Sequence, residues 1–488
     1  MILWIKVSIK KDLRYIIFKL LFLSSFCICL QKLDKNKCLC YDNNQKDGVV
    51  VAVGKKLKNR DLYMNKLISF CDMEPIKVIT GIRRCGKSSL LKLMVKYLKE
   101  KGIEKECILE MNFESFEFKD MTEKDFYNYV KERCIPNRRM YLFFDEVQRI
   151  IKWEDAVNAF RVDFDCDIYL TGSNSYLLSS EYSTYLSGRC IEINMLPLSF
   201  CEFLYFHDFE VVETKSALGG TRKNAVDKNG EKYELKEVFE AYTRFGGMPI
   251  ISDIGFDQEK ALILLDGVYS SVVVRDILER ENRRGQKKIT DPVLLKKIIL
   301  FLADNIGSNI SVSSIGNVLV NEGLIEDGNR NNPPSAHTVQ SYVNALIESY
   351  IFYDIKRFDI KGKELLRTLG KYYIVDIGLR NYLLGFRNRD TRHVLENIVY
   401  FELVRRGYDV AVGKIDSKAV DFIATKADEK IYIQVTETMT SEDVRKRELD
   451  PLQKIKDNYE KIVLSLDTGL ENSYEGIKSI NLIDWLIL

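Results

Sequence analysis

The chain has 488 residues, of which 46% are hydrophobic and 30% charged, with a formal net charge of +2. That balance excludes a disordered polyelectrolyte and leaves no overall field of the kind that attracts a polyanion at long range. The length predicts roughly two to four domains, and only eight prolines argue against long linkers. Eleven cysteines, the last at Cys201, form an odd set with no disulfide spacing. Reduced thiols and a cytoplasmic location are the expectation.

Residues 1–57 open with a lysine-rich start and a mostly apolar stretch from Tyr15 to Leu30. The charge pattern resembles a signal peptide. The stretch is short for a membrane span, Lys19 interrupts it, and no A-x-A cleavage site follows. Cys27-x-Cys29 and Cys38-x-Cys40 are spaced more tightly than zinc ligands, and His207, His337 and His393 lie far away in sequence. The segment reads as an extension outside the body of the protein. A misassigned start codon is the leading account and a membrane anchor the alternative; no membrane partner is otherwise expected.

Gly81-Ile82-Arg83-Arg84-Cys85-Gly86-Lys87-Ser88 matches G-x-x-x-x-G-K-[ST] in full. Lys77–Thr80 reads as a buried strand before it, and Ser89–Met94 opens an apolar-periodic helix after it. Strand, glycine loop and helix are the context in which this pattern cradles phosphate. Backbone N–H groups from Gly81 through Ser89 would surround the phosphates at a positive helix end. Lys87 would reach the β- and γ-phosphates of ATP, and Ser88 would hold Mg²⁺.

Met140–Glu146 is an apolar run ending in two carboxylates. A strand buried on both faces has this pattern, and ligands collect at the carboxyl ends of such strands. Asp145 would then orient Mg²⁺, and Glu146 would polarise an attacking water. Asp167–Asn174 is a third apolar run ending in small polar residues. Asn174 would contact the γ-phosphate or the water; the alternative is an asparagine in an ordinary turn. Arg189, in Leu186-Ser187-Gly188-Arg189, is a candidate trans-acting or sensing arginine, or else a surface ion-pair partner. The trans reading calls for a homo-oligomer.

Strands are expected at Val78–Thr80, Cys107–Asn112, Tyr141–Asp145, Ile168–Thr171 and Cys190–Asn194, alternating with helices. Residues 208–235 are polar, with Gly219-Gly220-Thr221 and Lys228-Asn229-Gly230-Glu231, and read as a surface insertion. A helix-rich segment follows.

Thr80–Ser88 resembles the AAA+-type ATPases of a large prokaryotic group. So do Phe144-Asp145-Glu146-Val147-Gln148, Leu170-Thr171-Gly172-Ser173-Asn174, and Leu186–Arg189 leading into Leu196-Pro197-Leu198-Ser199-Phe200-x-Glu202-Phe203. Gly246-Gly247-Met248-Pro249 fits the same group. The resemblance covers residues 58–488. It implies ATP binding by an N-terminal ATPase domain, joined to a C-terminal domain of unknown function.

From 275 to 297 the bases Arg275, Arg280, Arg283, Arg284, Lys287, Lys288, Lys296 and Lys297 outnumber four acids. The run is a nucleic-acid contact or a solvated helix face. Residues 293–375 resemble a winged helix, with helices at Leu294–Ala303, Val312–Val320 and after Ser335, then strands at Ile351–Arg357 and Lys371–Val375. His337, Thr338, Gln340 and Ser341 would face DNA; a protein partner is the alternative. The last segment is similar to a restriction-endonuclease-like core: Glu396 on a helix, Asp421 and Gln434 on paired strands. Thr436 stands where that pattern has lysine, so a domain that binds without cutting is expected.

The expected fold class is α/β. Residues 58–205 form a P-loop NTPase domain with a parallel sheet and 206–290 an insertion and helical lid. Residues 291–385 are winged-helix-like and 386–488 nuclease-like. The function that follows is an ATP- and Mg²⁺-dependent ATPase switching a C-terminal DNA- or protein-binding module. The alternatives are a nucleotide-gated adaptor with little turnover and an ATPase-gated, metal-dependent nuclease.

Overall fold

Five short apolar runs in the first half line up into one parallel sheet: β1 Ile76–Thr80, β2 Ile108–Asn112, β3 Met140–Asp145, β4 Cys166–Thr171 and β5 Cys190–Asn194. This is seen in a computed structural model that describes residues 57–172, 188–215, 221–279, 289, 291–321, 334–387, 390–469 and 472–488. The order is β2-β3-β4-β1-β5. Every residue of β1 and β3 is buried, as expected of strands covered on both faces. The register pairs Thr80 with Asn194 and Asn112 with Asp145, so the polar strand ends share one edge of the sheet. All five expected strands are present, their starts shifted by up to two residues.

One face of the sheet packs on an aromatic cluster. Phe126 meets Phe144 edge-to-face at 4.8 Å and Phe160 at 5.1 Å. The other face carries the helix Lys87–Glu100, whose Leu90, Leu91, Met94 and Leu98 enter a core continuous with the second half of the chain. Helix starts follow side-chain chemistry. Thr122 with Asp125, and Ser199 with Glu202, form capping boxes at Glu123–Lys131 and Phe200–Phe206.

The polar stretch expected as an insertion contains an antiparallel meander of β6 Glu210–Lys215, β7 Thr221–Val226 and β8 Lys232–Glu234. Gly219 and Gly220 lie outside the described residues. The helices Leu235–Phe245 and Gln258–Ser271 follow, the second continuing into a π-helical turn Val272–Glu279. Arg280, Arg283, Arg284, Lys287 and Lys288 fall outside the described residues.

Three helices occur where a winged helix was expected, Pro292–Asp304, Val312–Asn321 and Ala336–Glu348. The third is capped by the Ser335 hydroxyl, which accepts from the Thr338 amide at 3.1 Å. The hairpin after them, β9 Phe352–Asp359 and β10 Glu364–Ile374, is not a free wing. It continues into β11 Asp409–Ile415, β12 Lys418–Lys426, β13 Glu429–Val435, β14 Glu460–Ser465, β15 Ser473–Tyr474 and β16 Ile477–Asn481. All eight strands form one sheet ordered β10-β9-β11-β12-β13-β14-β16-β15. The joint is the parallel pairing of β9 with β11, Arg357 opposite Val412. The expected division at 385/386 therefore falls between strands of a single sheet. Helix Thr391–Arg405 carries Glu396, and β12 and β13 carry Asp421 and Gln434, as the sequence indicated.

The two halves meet at Gly247. Its amide donates to the Asp376 carboxylate at 2.6 Å and its carbonyl accepts from Leu198 N at 2.7 Å. A Cβ here would sit 2.4 Å from the Leu198 carbonyl oxygen, so the position takes only glycine.

Candidate nucleotide site

The glycine loop leaves β1 at the polar sheet edge. Gly81 (φ 136°) and Gly86 (φ 108°) adopt backbone conformations open to glycine, and a Cβ on Gly81 would lie 2.1 Å from the Met195 carbonyl oxygen. Helix Lys87–Glu100 begins directly after Gly86, with no side-chain cap on its first amides. Those amides and the positive helix end are donors suited to an anion. Lys87 is buried, and its ammonium donates to the carbonyls of Gly81 (2.9 Å) and Ile82 (3.1 Å). Ile82 and Cys85 turn their side chains fully inward, so they offer only backbone to a ligand. Arg83 turns to Glu114, which also pairs with Arg149 at 2.9 Å.

Asp145 and Glu146 arrive from the end of β3. Burial pushes the Asp145 carboxyl above its ordinary range, while hydrogen bonds from Thr171 and Ser88 and the nearby Lys87 work against that. Thr171 is the organiser: its hydroxyl donates to Asp145 and accepts from the Glu146 amide at 3.0 Å. Glu146 has a left-handed backbone (φ 56°), uncommon for a non-glycine residue, and Gln148 donates to its carboxylate at 2.6 Å. The cleft around these groups has a volume of about 770 Å³. Lys87, Ser88, Ser89 and Glu146 line one part, and Phe206 and Ile250 line another. Ammonium, hydroxyl, carboxylates and loop amides together fit a nucleotide triphosphate with a hard divalent cation.

Asn174 lies outside the described residues. Arg189 is exposed and sits at the amino end of β5, where its carbonyl accepts from Ile76 N. Because β5 runs parallel to β1, this is the end of the sheet opposite the glycine loop, about 16 Å away at the usual strand rise. A sensing role on its own chain's nucleotide is thereby corrected. The position leaves the two other expectations, action on a neighbouring chain and a surface ion-pair residue.

Sequence reasoning missed Arg60. It is buried and donates to the carbonyls of Cys85 (3.1 Å) in the loop and Leu196 (2.8 Å), and it pairs with Glu202 at 2.6 Å. An isolated arginine before a helix gives no local pattern. The signal available was Glu202 inside the Leu196–Phe203 motif, an acid among apolar residues, which calls for a partner.

A second polar cluster lies under the C-terminal sheet. Glu396, Asp421, Gln434 and Glu448 are all buried. Lys371, from β10, places its ammonium 2.8 Å from Glu396 and 3.7 Å from Asp421. Arg392 spans Glu396 (3.3 Å), Asp421 (3.5 Å) and Glu448 (3.3 Å), and Gln434 donates to Glu448 at 2.9 Å. Burial, then the neighbouring Glu396, raises the Asp421 carboxyl to about 6. Thr436 stands where the expected pattern has lysine, and the ammonium near Asp421 comes from β10.

Residues 73–204 match the model of an AAA domain, and residues 236–390 that of a domain of unknown function. An uncharacterized protein of Haemophilus influenzae is 40% identical over 437 residues, 89% of this chain and all of that one. An uncharacterized protein of Methanocaldococcus jannaschii is 30% identical over 441 residues, covering 88% of this chain and 89% of that one. The chain belongs to their family. Among solved structures, a Walker-type ATPase of Pyrococcus abyssi is 16% identical, with a TM-score of 0.42 over 67% of this chain and 95% of that one. In this family member the AAA match encloses the glycine loop, Asp145 and Glu146, and identifies a nucleotide-binding ATPase domain. No helix among the described residues is long and apolar enough to cross a membrane.

Proposed function

We propose that the chain is a Mg²⁺-dependent ATPase that uses nucleotide state to switch a C-terminal DNA- or protein-binding module. The observation that carries this is the convergence of Lys87, Ser88, Asp145 and Glu146 at one sheet edge. Lys87 neutralises the β- and γ-phosphates. Ser88 and Asp145 would hold Mg²⁺, which would supply charge neutralisation at the phosphates. Glu146, aimed by Gln148, accepts a proton from the water that attacks the γ-phosphorus. Arg189 acts on the site of a neighbouring chain. The exposed His337 and Gln340 at the start of helix Ala336–Glu348 offer a surface for the partner. ATP hydrolysis measured across a DNA titration tests this. Mg²⁺-dependent turnover that responds to DNA supports the DNA-switch reading, response only to a protein fraction shifts the partner, and tight binding with no turnover favours the adaptor.

One observation favours a second reading, an ATPase-gated nuclease. Lys371 supplies the positive charge that Thr436 cannot, 3.7 Å from Asp421. Against it, Glu396, Asp421 and Glu448 are already paired with Lys371 or Arg392 and are almost fully covered. Supercoiled plasmid incubated with Mg²⁺ or Mn²⁺, with and without ATP, is expected to stay intact. Nicking that disappears in Asp421→Ala would establish the nuclease.

A further inference from the structure

The segment Leu196–Leu198 supplies none of the candidate phosphate ligands, yet polar contacts converge on it from both halves of the chain. On one side it is fixed to the glycine loop. Met195 N donates to Thr80 O at 2.8 Å, just before Gly81, and Arg60 bridges Cys85 O (3.1 Å) to Leu196 O (2.8 Å) and Pro197 O (3.3 Å). On the other side stands Arg405, the last residue of helix Thr391–Arg405. It donates to the same Pro197 O at 3.0 Å and to Glu402 at 2.6 Å. A single carbonyl therefore accepts from one arginine tied to the loop and from another anchored in the C-terminal half. Both guanidinium groups are buried. Each is a planar fork whose two terminal nitrogens are bonded in fixed directions, so neither shifts without disturbing its partners. At its far end the same helix carries Glu396 and Arg392, with Glu396 about 14 Å from Arg405 at the helical rise.

We propose that Arg405 is a positioning residue for the nucleotide site. It acts through Pro197 O and Arg60 on the Cys85 peptide of the glycine loop, and the helix Thr391–Arg405 is the element that carries nucleotide state to the Glu396–Asp421–Lys371 cluster. This rests on the ATPase reading above. The Lys87 ammonium is held by two loop carbonyls; phosphates that recruit it change the loop's hydrogen bonding next to the Cys85 carbonyl that Arg60 grips. Coupling of binding free energies is reciprocal, so loosening Arg405 must alter nucleotide affinity by the same factor with which nucleotide alters the helix.

The test uses the full chain and titration calorimetry with Mg-ATP and Mg-ADP. Arg405→Lys keeps the charge for Glu402 but replaces the two-nitrogen fork, one nitrogen on Glu402 and one on Pro197 O, with a single donor atom on a shorter side chain. Arg406→Lys is the control, since Arg406 also pairs with Glu402 (2.8 Å) but reaches Trp485 O instead of Pro197. Arg405→Lys is expected to change the ATP-to-ADP affinity ratio by about fivefold or more, the lower end of usual coupling, and Arg406→Lys to leave it unchanged. An unaltered ratio in a folded Arg405→Lys protein overturns the proposal. Should that variant not fold, hydrogen exchange on the wild type decides. Mg-ATP is expected to change amide protection across residues 391–406, and to do so no longer in Lys87→Ala. Protection of 81–88 alone overturns the coupling, whereas no protection at 81–88 sinks the ATPase reading itself.

Discussion

Lys371 on β10 holds its ammonium 2.8 Å from the Glu396 carboxylate on helix Thr391–Arg405, both groups shut away from solvent. Asp421 lies 3.7 Å from the same nitrogen. Removing one partner of a buried pair leaves a stranded charge, at a cost of about 3–5 kcal/mol. Lys371→Met is therefore expected to lower unfolding free energy by an amount of that order. The double variant Lys371→Met/Glu396→Gln should recover part of the loss, because Arg392 then faces one carboxylate fewer. Denaturant titration of the four-member cycle measures this. Simple additivity would mean that the two residues are not coupled.

Nucleotide binding is expected to depend on Lys87. Lys87→Ala removes the charge facing the phosphates and also releases the Gly81 and Ile82 carbonyls. Mg-ATP affinity should collapse while the circular dichroism spectrum is kept. Glu146→Gln is expected to separate binding from turnover. The amide keeps its shape and its contact with Gln148 but accepts no proton, so ATP should bind while hydrolysis falls by about 10²-fold or more. Wild-type turnover in this variant would move the base elsewhere.

The site's local parts were legible because their signals are short-range. A glycine loop at fixed spacing, two continuous apolar runs and a helix between them needed no tertiary knowledge. Asp145, Glu146 and Lys87 follow from those runs and stand together in the cleft. What escaped depends on contacts between distant segments. Arg60 grips Cys85 and Leu196, and Lys371 serves an acid on a later helix; neither leaves a periodic or spaced mark. Thr436 shows the same limit: the pattern looked for a lysine on one strand, while the cation that stands beside Asp421 comes from β10. The hairpin β9–β10 carried the right strand propensity, but its parallel pairing with β11 is written in no local pattern.

Arg189 gives a prediction about assembly. Its place at the amino end of β5 keeps it from the loop of its own chain. Arg189→Ala should bind ATP normally yet hydrolyse it more slowly, by about 10³-fold if it acts as a finger in trans. Mixing Arg189→Ala with Lys87→Ala, each inactive alone, should restore turnover, because some interfaces then join an intact arginine to an intact loop. No complementation, together with a monomer by light scattering, would reduce Arg189 to a surface residue.

Asp376 sets a pH dependence at the contact between the halves. Burial raises its carboxyl to about 6, although the amides of Gly247, Leu379 and Gly378 hydrogen-bond to it. The unfolded value is about 3.9, so the native state holds the proton more tightly. Stability from this group is then greatest below about pH 4, falls as pH rises through about 6, and is a constant cost above that. Two units correspond to roughly 3 kcal/mol. Asp376→Asn does not titrate, and its loss of one acceptor for Gly247 N or Leu379 N is independent of pH. The stability of the wild type relative to Asp376→Asn should therefore decline by about 2 kcal/mol between pH 4.5 and 7.5. Urea unfolding of both proteins at each pH measures the difference. A gap that stays flat over that interval would show that Asp376 is ionised at the bottom of the range, held so by its three backbone donors.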